Sequence, residues 1–419
     1  MHDFTYDDAG RLCCSDVPLE QIAKDLGTPF YCYSLSTLKR HIQAFEEPLA
    51  GIEHQTCFAM KANSNLAILA LMARHGLGAD VVSGGELYRA LKAGIPASKV
   101  VYSGVGKTTE EIDMAIGEGI MMFNIESEQE LEVINERAGA LGKKAPISIR
   151  VNPDVDPQTH PYISTGLKDN KFGIDIERST RQYLRARKMG NIEVVGIDCH
   201  IGSQLTDISP FIDAVERLKA LIATLRAEGM DFRYLDLGGG LGITYSDEQP
   251  PHPREYCSAI IDAVKGLGLK LIFEPGRVIV GNAGVLVTRV LFRKETSKKT
   301  FIIVDAGMND LIRPALYGAY HDIKPLNFKQ GSTEKADVVG PICESSDFLA
   351  KDRDLPLLFR GDLIAVMSAG AYGFTMSSNY NSRPKPPEVL VDAGSYSVVI
   401  QRQSYADLVS GEVTPEALR

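Results

Sequence analysis

Lys61 stands at the end of the apolar run "TCFAMK", where "ANSN" turns the chain, and an amine held rigidly there could condense with an aldehyde. Alone, it reads better as a strand end reaching solvent. The ends of similar runs further along carry Asp80, Arg150, His200 with Ser203, the Gly238-Gly239-Gly240 turn, and Glu274 with Gly276 and Arg277. One such residue means little, but polar residues at the ends of most of the strands call for a common ligand. A phosphate-bearing cofactor linked through lysine supplies one. Three consecutive glycines let backbone N–H groups approach phosphate oxygens, and a helix start directly after them would add its dipole. They would also suit a close-packed turn. A protonated pyridine nitrogen needs a facing carboxylate, and Glu274 in "IFEPGR" is placed for that task. His200, followed by Gly202 and Ser203, offers a flat ring to lie against a flat cofactor, although a lone histidine is more often a core residue bonded to backbone. Together these features predict pyridoxal 5′-phosphate.

The elements that must position these residues alternate. From about residue 54 to 280, eight short apolar runs, from "TCFAMK" to "LIFEPGR", are separated by segments with helical spacing such as "NLAILALMARHG" and "SEQELEVINERAG". Eight strand-helix units in that length predict an α/β (β/α)8 barrel, whose chemistry sits at the C-terminal strand ends. A doubly wound sheet would alternate too. The glycines of "DLGGGLG", however, miss G-x-G-x-x-G spacing and arrive late in the alternation. After residue 285 the runs become Val-, Ile- and Phe-rich without long helices, as in "GVLVTRVLFRKE" and "PPEVLVDAG", which predicts a second, mostly antiparallel β-domain. The first thirty-odd residues read as strand pieces around a short helix and are expected to join it. The expected division is 36–282 for the barrel, with 1–35 and 283–419 in the β-domain.

At 419 residues the chain is long enough for such a pair of domains. Its 45 basic and 54 acidic residues give a net charge of −9 without a basic block, which argues against nucleic acid or an anionic membrane as partner. The acidic start "MHDFTYDDAG" is unlike a secretory signal, and no apolar run reaches spanning length, so a soluble cytoplasmic protein is expected. Seven cysteines without a C-x-x-C pair suggest neither a disulfide framework nor a zinc site. No metal is expected.

The motifs "CFAMKAN", "ADVVSGGE", "HPYISTG", "KFGI", "HIGSQ", "LDLGGGLGI", "EPGR", "PICESSD" and "AGAYG" together resemble the fold-type III pyridoxal-phosphate decarboxylases. Among these they resemble most the enzymes that act on diaminopimelate. The likeness runs from the early residues to about 400. It implies a homodimer with shared active sites, in which Lys61 carries the cofactor, His200 stacks on the ring and Glu274 pairs with the pyridine nitrogen. Ser203, Gly240, the loop from Glu274 to Arg277 and Tyr372 would surround the phosphate, with Asp80, Arg150, Gly238, Gly239 and Gly276 in the same cofactor site. Cys343 would be the proton donor, contributed with Glu344 by the neighbouring subunit.

The substrate has a physical discriminator. Ornithine and lysine end in an ammonium alone, whereas meso-diaminopimelate carries a distal carboxylate that guanidinium groups hold well. Arg277 is one candidate. In "NDLIRPALYG", Pro314 suits the first position of a short helix, with Arg313 at its mouth and Tyr317 one turn on. Without the likeness they read as a surface cation and a packing residue. With it, Arg277, Arg313 and Tyr317 bind the substrate's distal carboxylate and Glu344 its distal ammonium, Tyr372 also belongs to the substrate site, and "HPYISTG" sets specificity. A relative acting on ornithine, lysine or carboxynorspermidine would not need the arginine pair. A non-catalytic cofactor-binding homologue would not need both Lys61 and Cys343, and "CESSD" and "AGAYG" fit the decarboxylases better than an alanine racemase.

Overall fold

Apolar runs buried on both faces make a closed ring of eight parallel strands in this computed structural model, which describes residues 2–155, 171–328 and 330–418. The strands are His54–Ala59, Gly78–Val81, Val100–Tyr102, Met122–Ile125, Ala145–Asn152, Ile192–Asp198, Tyr234–Asp236 and Lys270–Phe273, called strands one to eight below. Each pairs with the next. Strand eight returns to strand one through Leu271↔His54, Ile272↔Gln55 and Phe273↔Thr56, which closes the barrel. A two-residue strand, Ile174–Asp175, lies beside the end of strand five.

Short turns hand each strand to a helix because a capping side chain waits at the right place. Ser83 accepts from the Glu86 N–H two residues after strand two ends, Ser127 accepts from Glu130 after strand four, and Thr108 forms a reciprocal box with Glu111. The helices then bury one stripe. Ser209–Ala227 turns Phe211, Ala214, Val215, Leu218, Leu221, Ile222 and Leu225 inward, the i, i+3, i+4, i+7 spacing of an amphipathic helix. Truncating one of these, such as Leu218, to alanine would cost about 2–5 kcal/mol. Cys57, Val101, Met122, Val195 and Ile272, from five of the barrel strands, share one buried apolar cluster.

The chain forms two compact units, one of 41–244 and 248–279 and the other of Met1–Arg40, Tyr245–Asp247 and Val280–Arg419. In the second, a nine-stranded mixed sheet runs Phe348–Pro356, Thr333–Val339, Thr300–Val304, Gly284–Glu295, Phe30–Ser34, Glu388–Asp392, Ser395–Ile400, with Ile323–Pro325 and Leu363–Val366 off that path. Most pairs are antiparallel, as the sequence suggests. Two are parallel: Thr300–Val304 with Thr333–Val339, and Phe30–Ser34 with Glu388–Asp392. The N-terminal strand Phe30–Ser34 therefore sits mid-sheet, and its Phe30 and Cys32 share a core with Val285, Val287, Val389 and Val391. Among the described residues, no helix is long and apolar enough to cross a membrane.

Candidate active site

Strand one stops at Ala59, whose N–H bonds the Pro275 carbonyl at 3.1 Å, and Lys61 lies in the single 3-10 turn Met60–Ala62 that follows. The lysine is thus just past the strand end expected for it. Gly276 packs so closely there that an added Cβ would meet the Ala59 and Ala62 methyls at 3.1 Å. The Lys61 amine is held 2.7 Å from Oδ2 of Asp80, a carboxylate with 0% exposed side chain at the end of strand two. Neighbouring strand ends have brought a charge pair to the barrel rim.

Below the rim, strand register places Arg150, Asp198 and Asp236 abreast on strands five, six and seven. Glu126 fixes the arginine: its Oε1 accepts from Arg150 Nη1 at 2.8 Å and its Oε2 from the Gly173 N–H at 2.8 Å. Arg150 also reaches the His200 carbonyl. Glu274, 5% exposed, follows strand eight, and Asn124 of strand four sends its amide nitrogen towards Glu274 Oε1 (3.4 Å) and Asp236 Oδ2 (3.2 Å). Three buried acids share this floor. Burial, then the Asp198 charge, pushes Asp236 up to about 8; burial and then Asp236 raise Glu274; and burial and then Glu274 raise Asp198.

The sign of the resulting pH dependence follows. Asp236 has a folded value of about 8 against 3.8 for the unfolded chain, so its contribution to stability is complete below about 4 and is lost as pH rises towards 8. The cofactor-free protein should therefore lose Tm between pH 5 and 8 more steeply than its Asp236→Asn variant. Parallel melting curves of equal slope would rule out this role for Asp236.

His200 Nδ1 accepts the Gly239 N–H at 3.0 Å, which places any proton of the neutral ring on Nε2. Burial, followed by the charges of Arg150 and Lys61, holds the imidazole well below its ordinary value, so the ring is neutral and flat. The glycine turn is locked against it. A Cβ on Gly238 would meet His200 Nδ1 at 2.5 Å, one on Gly239 the Glu274 carbonyl at 2.2 Å, and one on Gly240 the Gly202 carbonyl at 2.6 Å. Gly238 and Gly240 also have φ of +63° and +119°. The helix expected directly after this turn is absent: the chain runs on through a bridge between Leu205 and Leu241, and the next helix begins at Pro253. The Gly238 N–H donates to Asp236 Oδ1 at 3.0 Å and the Gly239 N–H is taken by His200, so the turn is tied to the ring-side residues and has no helix dipole behind it. Arg277 Nη2 donates to Ser203 Oγ at 2.9 Å beside the turn.

The second unit holds Arg313, Tyr317, Cys343, Glu344 and Tyr372. Arg313 is the first residue of the helix Arg313–Tyr317, with Pro314 second, and it is no surface cation. It is 6% exposed, its Nη1 lies 2.8 Å from His321 Nε2, and its guanidinium carbon sits 4.6 Å above the Tyr245 ring. Cys343 is exposed on a turn tied by its own N–H to Asn381 Oδ1. The same turn is clamped by Asp347, whose oxygens accept from Ile342 and Met308, both at 2.6 Å. Glu344 is exposed on that turn, and Tyr372 has a left-handed φ of +56°, a strained geometry for a side chain of its size. The segment "HPYISTG" lies outside the described residues. Among those residues, no group of three or more His, Cys, Asp or Glu could hold a metal ion.

Comparison with known proteins bears on this geometry. Residues 35–281 match the family described as pyridoxal-dependent decarboxylase, pyridoxal binding domain. The chain is 56% identical over 418 residues to a diaminopimelate decarboxylase of Vibrio cholerae, covering 99% of this chain and 100% of the relative. It is 54% identical over 412 residues to that of Pseudomonas aeruginosa, covering 98% and 99%. Among solved structures, diaminopimelate decarboxylase from M. jannaschii in complex with L-lysine superposes with a TM-score of 0.94 at 41% identity, covering 100% of both chains.

Proposed function

Since this chain belongs to the pyridoxal-dependent decarboxylases, and within them to the diaminopimelate decarboxylase family, we propose that it converts meso-2,6-diaminopimelate to L-lysine and CO2 with pyridoxal 5′-phosphate. The observation that carries the reading is a lysine amine, a neutral histidine ring, a buried acid and a glycine turn gathered at one barrel mouth. These fit the cofactor. Arg277 and Ser203, paired at 2.9 Å beside the glycine turn, offer a cation and a hydroxyl to a phosphate, and the Glu274 carboxyl is buried where a ring nitrogen would give it a charged partner. When bound, the cofactor supplies an electron sink for the carbanion left by CO2.

The chain's own groups do the rest. Lys61 provides the amine that attaches the cofactor, and Asp80 orients it. His200 lies against the ring, with Gly239 fixing its tilt; Glu274 keeps the ring nitrogen protonated. Gly238, Gly239, Gly240, Ser203, Gly276, Arg277 and Tyr372 take the phosphate end, and Arg150 supports His200 from behind. Arg277, Arg313 and Tyr317 hold the distal carboxylate of the substrate and Glu344 its distal ammonium, and Tyr372 also touches the substrate. Cys343 Sγ gives its proton to the α-carbon after CO2 departs. We assign Cys343 and Glu344 to the site of the neighbouring subunit in a homodimer, and the enzyme, with seven free thiols, to the reducing cytoplasm.

Incubation with meso-diaminopimelate and cofactor should release CO2 and lysine in equal amounts. Turnover of ornithine alone would overturn the substrate. For the distal anchor, Arg313→Leu should lower kcat/KM for diaminopimelate roughly ten- to hundred-fold, because a hydrogen bond to a charged group is worth about 1.5–3 kcal/mol. The absorbance of the bound cofactor should stay unchanged. An unaltered kcat/KM would take Arg313 out of the site.

A further inference from the structure

Asn124 has no part in the roles assigned so far, yet it is fully buried at the centre of the barrel floor. Register sets it beside Ser148 on the next strand, whose hydroxyl donates to Asn124 Oδ1 at 2.6 Å. That bond decides which way the amide faces. Its nitrogen is turned to Ser103 Oγ at 3.2 Å, Asp236 Oδ2 at 3.2 Å and Glu274 Oε1 at 3.4 Å. Strand four lies across the closed ring from strand eight, so the amide spans the bore to reach an acid on the far wall.

A carboxylate has two oxygens, and a ring nitrogen can use only one in a linear hydrogen bond. Whichever oxygen is already engaged sets the rotation of the group. Asn124 engages Oε1. It also separates Glu274 from Asp236, two acids of like charge that would otherwise face each other without a donor between them.

We propose that Asn124 is a positioning residue, which holds Glu274 by Oε1 from across the bore so that Oε2 is presented to the pyridine nitrogen of the cofactor. The inference rests on the reading of Glu274 given above. Ser148 acts one step further back, since its hydroxyl keeps the donor side of the amide towards the acids. Once Glu274 is charged opposite a protonated ring nitrogen, the Asn124 N–H becomes a charge-assisted donor, the stronger class of hydrogen bond.

The test compares two ligands. Cofactor-free protein is titrated with pyridoxal 5′-phosphate and with its carba analogue, in which the ring nitrogen is replaced by C–H. Asn124→Leu, similar in shape but without a donor, should bind pyridoxal phosphate roughly tenfold more weakly, the loss expected from one hydrogen bond to a charged group. Its affinity for the carba analogue should change less than about twofold, since Glu274 has no ring nitrogen to meet there. An equal loss for both ligands would mean that Asn124 merely supports the barrel, and no loss for either would remove it from the network; both outcomes overturn the proposal. Glu274→Gln, measured in parallel, separates the two levels. If that variant fails to distinguish the ligands, the reading of Glu274 falls and the role of Asn124 with it; if it distinguishes them and Asn124→Leu does not, only the Asn124 assignment falls. Should Asn124→Leu not fold, Ser148→Ala removes only the hydroxyl that donates to Asn124 Oδ1, keeps the Asn124 amide donors and frees that amide to rotate. It must then show the same preference between ligands in weaker form, and equal loss for both overturns the proposal.

Discussion

Lys61→Ala should lose decarboxylation by roughly 10³-fold or more, because covalent attachment and the amine's acid–base role disappear together. Borohydride should fix a pyridoxyl group on Lys61 of the wild type and on no residue of the variant. The alanine also leaves the buried Asp80 without its cation, so lost activity alone could reflect a damaged rim. Lys61→Arg resolves this. It retains a charge beside Asp80 and should melt close to the wild type, yet it cannot condense with the aldehyde and should be as inactive as the alanine variant. Activity in either variant within tenfold of wild type, or a pyridoxyl label on a different lysine, would refute the assignment.

Mixed subunits should recover what each mutant lacks. Lys61 belongs to the barrel unit and Cys343 to the other, and the proposed homodimer joins the lysine of one chain to the cysteine of its partner. In a Lys61→Ala/Cys343→Ala heterodimer one site is then intact, and the other receives both defects. Random exchange makes about half the dimers mixed, so about a quarter of wild-type activity should return. If both residues served the same chain's site, every site would stay defective. Exchange must be verified by mass, and Cys343→Ala must be strongly impaired by itself. With those conditions met, activity no higher than the sum of the separate mutants would sink the shared site.

The barrel was legible because its strands are buried on both faces and so read as short apolar runs, and because the segments between them carry helical spacing, as at "NLAILALMARHG". Lys61, His200 and Glu274 were legible for a related reason: each interrupts or ends such a run. Asp198, Asp236 and Asn124 interrupt runs too, in "VVGIDCH", "LDLGGG" and "MMFNIES", and polarity within an apolar stretch was the signal that could have found them. Period-two patterning cannot tell which side chains of a buried strand point into the bore, since both faces are apolar. Only ring closure brings Asn124 to an acid on the opposite wall. Arg313 was named from its likeness to the family, but its burial was not legible, as that depends on Tyr245 and His321, which reach it from elsewhere in the chain. The two parallel pairings in the β unit depend in the same way on which distant segments become neighbours.

The closeness of Gly238, Gly239 and Gly240 to His200, Glu274 and Gly202 also constrains how this enzyme can evolve. Every single-nucleotide path from a glycine codon to another residue adds at least a methyl group, and each methyl here would strike the His200 side chain, the Glu274 carbonyl or the Gly202 carbonyl. With the roles proposed above, the glycine turn and the residues it packs against can therefore change only together, and a lineage drifting by single substitutions would be held at its cofactor. Arg313, Tyr317 and Glu344, assigned to the distal end of the substrate, sit on a different unit, outside that lock. New substrate preferences can arise there by ordinary single steps, with the cofactor machinery left untouched.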